Sequence, residues 1–200
     1  MGGEEESPAS VRNKDAPKPR RLRRGELDRV EAGNPHSVLA REKLSPRELV
    51  EVLHVSNTSE IAAGKMAQQK GSPPIADYGL MLVIAHQAMD DKLNTAAGQL
   101  GLKVAQQPKS SKARKELSEA KKMQDKLSRL SGPQFDRTFA RSIAADQRKA
   151  IEVVQVARGT CEEAALCSLL DQTLPMLRAH EQRARALEKP PVAQGRRGPP

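Results

Sequence analysis

Aromatic side chains are almost missing: Tyr78, Phe135 and Phe139 are the whole set. A β-sandwich or barrel fills its pleated faces with aromatic and β-branched residues, so this scarcity argues against both. Cysteine is nearly absent as well. Cys161 and Cys167 lie six positions apart, off the helical neighbour spacings, and read as small helix residues rather than a disulfide or a metal pair. No apolar run is long enough to span a bilayer. Met1–Asp28 contains no apolar stretch of the kind a secretory signal needs, so the chain as written reads as cytoplasmic. A start assigned too late would reverse that reading and admit the cell envelope or periplasm. Gly-rich phosphate loops, the nucleophile-elbow motif and zinc-spaced cysteines are also missing, which leaves no legible enzyme site.

What is present favours helix. Ala, Leu, Glu, Lys, Gln and Arg dominate long stretches, and the charge is +9. Residues 1–44 are rich in Pro, Gly, Arg and Glu and have no hydrophobic period, so they read as a disordered basic arm. Seven Lys or Arg against Asp15 alone, from Arg12 to Arg24, suit an anionic partner. Residues 189–200 read as a second disordered tail. The stretch from Lys109 to Arg129 is also basic, yet stacking aromatics are lacking, so nucleic acid is the weaker choice of partner.

Between the tails, residues 45–188 divide into five helices. Ser45-Pro46-Arg47-Glu48 carries a capping box with proline at the first helical position. Lys70-Gly71 ends that helix, and Ser72-Pro73-Pro74 opens a second that runs to about Gly101. A basic helix spans Ser110 to Leu130. A fourth runs from Pro133 to about Ala157. Thr160 with Glu163 reads as a capping box for a fifth, which ends near Lys189 and should kink at Pro175. The turns at Gly71 and Gly159 are short, so the pairs they join should be antiparallel. The expected fold is all-α: an antiparallel four-helix bundle with one additional shorter basic helix.

Each long helix carries one ionisable residue inside its apolar stripe. Glu60 sits among Leu49, Val52, Leu53, Ser56, Ala63 and Ala67. His86 sits among Tyr78, Leu82, Met89 and Leu93. Asp146 lies between Ile143 and Ala150, and His180 between Leu177 and Ala184. His180 is nearer its helix end and should lie a turn or two from the others. Burying such groups costs several kcal/mol unless they pair, so four of them on facing stripes should satisfy one another. The first reading is a hydrogen-bonded cluster that fixes helix register, with no cofactor. The second is a site for a divalent transition metal, since two imidazoles and two carboxylates suit such an ion.

The same residues carry a family resemblance. Glu60-Ile61 with Gly64-Lys65-Met66-Ala67 resembles the start of the bacterial family called domain of unknown function 4142. Tyr78-Gly79, Leu82-Val83, Ala85-His86 and Leu93 resemble its second helix. Leu130 to Arg137 (LSGPQFDR), Ala145 to Ile151 (ADQRKAI) and Thr173 to His180 (TLPMLRAH) resemble its later motifs. The resemblance covers about residues 45–188. It implies a ferritin-like bundle, often labelled a putative outer membrane protein, with no activity to carry over. Two departures stand out. The acid of the family's first Asp-His pair is replaced by Ala85, and the histidine of its second by Gln147. Val83 and Leu177 occupy the places three before His86 and His180, so the Glu-x-x-His pairs of di-iron bundles are missing. A non-enzymatic structural, interaction or stress-related role is the expectation.

Overall fold

The computed structural model describes residues 43–105 and 107–188. The basic arm and the C-terminal tail expected from the sequence lie outside the described residues. Five α-helices and no strands are found among those described: α1 (Pro46–Lys70), α2 (Pro73–Gln99), α3 (Ser111–Ser128), α4 (Gly132–Gly159) and α5 (Ala164–Glu188). None is long and apolar enough to cross a membrane.

The start of α1 is capped as its sequence requires. The Ser45 hydroxyl accepts from the Glu48 amide at 3.3 Å, and the Glu48 carboxylate accepts from the Ser45 amide at 3.0 Å. At the other end the Gly71 amide donates to Ala67 at 2.9 Å and closes the helix. Only Gly71 and Ser72 separate α1 from α2, which forces the two helices back along each other. Ser72 does not cap α2 with its side chain; its amide donates instead to Asp136 on α4 at 3.1 Å.

α1 and α2 approach closely because glycine faces glycine. A Cβ on Gly64 would stand 2.6 Å from the Gly79 carbonyl, and one on Gly79 would stand 2.6 Å from the Gly64 carbonyl. Helix propensity alone would favour Gly64→Ala by about 1 kcal/mol. A backbone carbonyl cannot swing aside, so the helices would have to separate, and such overpacking costs about 1–3 kcal/mol. The substitution is therefore expected to destabilise by about 1 kcal/mol net in urea unfolding. A gain in stability would show that the two helices separate freely.

α1 packs on α2, α2 on α5, α5 on α4 and α4 on α1, which closes a four-helix ring. α3 lies outside the ring against α1 and α4. It buries only Ala113 and Leu127, and its start is tied down by Glu51, which accepts from the Lys109 and Ser110 amides at 3.0 and 2.7 Å. That contact explains why α1 is buried on more than its expected stripe: Glu51 and Val55 are covered as well.

Two features at the α4–α5 turn correct the sequence reading. Thr160 terminates α4 rather than opening α5, and α5 begins at Ala164. Cys161 therefore lies in the turn, not on a helix. The chain folds back there and brings its Cα to 5.6 Å from that of Cys167, and the two cysteines form a disulfide. The spacing argument failed because it assumed one continuous helix through both. Closing so short a loop stabilises by about 2 kcal/mol through the unfolded chain. Reduction should lower unfolding stability by that amount and leave helix content unchanged; no change in stability would contradict it.

The core is built in two apolar halves. One gathers Leu49, Leu53, Leu93, Val154, Leu166 and Leu170. The other gathers Ile75, Tyr78, Leu82, Phe135, Phe139 and Ile143. Between them, on all four ring helices, lie Asn57 and Glu60, His86, Gln147 and His180, all buried.

Candidate functional site

This polar layer is the one place where the apolar stripes of all four ring helices are interrupted together. His86 is its centre and is fully buried. Its Nδ1 is 3.0 Å from Asn57 Oδ1, and its Nε2 is 3.1 Å from Glu60 Oε2. The first contact places a proton on Nδ1. The second sets the other ring nitrogen beside a carboxylate oxygen. Gln147 Nε2 donates to the same Glu60 oxygen at 2.5 Å and stands 3.2 Å from His86 Nε2. The His180 ring lies 5.3 Å from the His86 ring, centroid to centroid.

The layer reaches the surface through a hydrogen-bonded chain. Asn57 Nδ2 approaches Asp90 at 3.4 Å, and Asp90 pairs with His54 Nδ1 at 2.9 Å. His54 and Asp90 are half-buried. Residues 54, 57 and 60 on α1 and 86 and 90 on α2 follow the helical neighbour spacings, so each helix supplies a polar ladder leading inward.

Electrostatics differ across the layer. Burial, and then the neighbouring His86, pushes the His180 imidazole down to about 4, with Glu60 opposing, so His180 is neutral at pH 7. Its carbonyl accepts from the buried Tyr78 hydroxyl at 2.9 Å. Burial, and then Glu60, also raises the Tyr78 phenol. Asp146 is pushed up to about 7 by burial first, then by Glu60, Glu116 and Glu119, with Lys149 opposing. Asp146 and Glu60 share a cavity of about 40 Å³ between α1, α3 and α4, where Lys149 holds Glu116 at 2.7 Å and Glu119 at 2.6 Å.

Of the four residues singled out from the sequence, the structure thus joins Glu60 to His86 and sets His180 beside them. His180 is level with His86 rather than a turn or two away. Asp146 stands on the far side of Glu60, where it makes no hydrogen bond among the described residues. Its neighbour Gln147 takes the α4 place in the layer. Asn57 and Asp90 are absent from the sequence reading, His54 reads there as a residue at the helix flank, and Gln147 enters only as the replacement of a histidine. Asn57 and His54 were legible as the residues three and six before Glu60, and Asp90 as the residue four after His86. Three buried atoms of the layer, Glu60 Oε1, Gln147 Oε1 and His180 Nδ1, have no protein partner.

A family profile, Domain of unknown function (DUF4142), matches residues 33–187. This chain belongs to the DUF4142 family. No curated protein and no solved structure matches it. Within this DUF4142 domain, the position of Gln147 matters most. Its side-chain amide supplies the hydrogen-bond donor to Glu60 from α4.

Proposed function

We propose that this DUF4142 chain is a non-enzymatic helical bundle with a structural or interaction role, in the cell envelope or another oxidising compartment. The observation that carries the reading is the engagement of His86. Both ring nitrogens, and the Glu60 oxygen facing them, are used by protein groups. The polar layer then acts as a register pin: any slip of one helix would strand a buried charge or amide in an apolar half of the core. The compartment rests on the Cys161–Cys167 disulfide, since such bonds persist where the surroundings are oxidising.

A second reading is favoured by the three unpartnered atoms. Glu60, His86 and His180, with Asp146 nearby, offer nitrogen and oxygen donors that suit a divalent transition ion. To bind it through a ring nitrogen, His86 would have to release Asn57 or Glu60.

Elemental analysis separates the two. Tag-free protein is incubated with Zn²⁺, Fe²⁺, Cu²⁺ or Mn²⁺, dialysed and assayed. The register-pin reading expects no stoichiometric metal and no melting shift. One ion retained per chain, and lost in His86→Gln, would overturn it in favour of the metal reading.

A further inference from the structure

α3 and α4 meet at the Leu130–Ser131 turn, and beside it their outer faces enclose a groove of about 270 Å³. α3 contributes Lys126. α4 contributes Gln134, Arg137, Thr138, Arg141 and Ser142, which recur at helical neighbour spacing along one stripe. No acidic residue lines the groove. Among the described residues, none of the three cations makes a side-chain hydrogen bond or ion pair. Other arginines of α4 are spent on acids: Arg148 on Glu181 and Arg158 on Asp171.

We propose that this groove is an anion site that takes a phosphate group. Arg137 and Arg141 are one turn apart, so both guanidinium forks can address the same phosphate, and Arg suits such oxygens through paired donors. Thr138 and Ser142 are half-buried on the same stripe and add hydroxyl donors. Lys126 closes the groove from α3 as a point charge. The volume admits a phosphate with part of whatever carries it, whether a small phosphate ester or a lipid headgroup. The site does not depend on how the core polar layer is used.

The test uses the full chain, basic arm included. Binding of inorganic phosphate is followed by calorimetry. Binding to phosphatidylglycerol vesicles, against phosphatidylcholine vesicles, is followed by sedimentation. Arg137→Gln/Arg141→Gln is compared with Lys115→Gln/Lys121→Gln, which removes equal charge from exposed positions on α3 outside the groove. Saturable binding that weakens at least about tenfold in the arginine variant and less than about twofold in the lysine variant supports the site. A groove-dependent response to phosphate indicates a free phosphate ester, and one to vesicles alone indicates a headgroup. Equal weakening in both variants would reduce the effect to net charge, and the absence of saturable binding to either probe would remove the site.

Discussion

His86→Leu is expected to cost the bundle about 3–5 kcal/mol, read from the midpoint of urea unfolding. Leucine is close to histidine in size and more apolar, so packing and transfer terms would predict little change or a gain. The polar partners decide the sign. Glu60 would lose the group 3.1 Å from its Oε2 and keep Gln147 as its hydrogen-bond donor, while its Oε1 already lacks one. Asn57 Oδ1 would lose its donor at 3.0 Å. Breaking a buried pair by removing one member leaves an uncompensated group, which outweighs what the new methyls bring. A neutral or stabilised variant would show that the layer is dispensable.

Asp146→Asn should do the opposite and stabilise. The folded-state carboxyl sits at about 7, against an ordinary value of 3.8. A raised value means that folding favours the neutral acid. Its contribution is fully present below about pH 4 and is lost as pH rises through about 7, after which the ionised group burdens the fold. A shift of about three units corresponds to at most about 4 kcal/mol, and partial exposure reduces this to about 2 kcal/mol. The groups that face it are Glu60 from α1, Glu116 and Glu119 from α3, and Lys149 on its own helix; Lys149 is already held by the two α3 acids. Asparagine removes the charge at every pH. The variant should therefore exceed the parent by about 2 kcal/mol at pH 8, with the gain fading towards pH 4. Other acids titrate equally in both proteins and cancel in the difference. A variant less stable than its parent at pH 8 would show that Asp146 is paired where the structure leaves it unpaired.

The helices were legible because their punctuation is local. Ser45, Pro46 and Glu48 settle one start, and Gly71 one stop, within a few residues. The inward faces of α2 and α5 were legible for a similar reason, since each meets neighbours on one side and obeys a single period. α1 was only half legible. Packing by α3 buries Glu51 and Val55, and nothing in the sequence of α1 announces that second neighbour. The polar layer was found through its ionisable members, because a charge in an apolar stripe is conspicuous. Its neutral members were not: Asn57 and Gln147 are as buried as Glu60, but an amide can be dismissed as a flank residue. Asp146 and Gln147 are adjacent and both lie near the inward stripe of α4, and only the rotation of that helix decides which one enters the layer. The disulfide escaped for a further reason. It depends on where α4 stops, and Thr160 serves equally well in sequence as the end of one helix or the start of the next.

A double-mutant cycle on Glu60→Leu and His86→Leu tests most directly whether the buried groups of the layer hold one another. If they do, the double variant, having no stranded partner between the two positions, is more stable than the two single losses summed, by at least about 2 kcal/mol. Strictly additive losses would contradict it, because each residue would then be supported by something other than its neighbour.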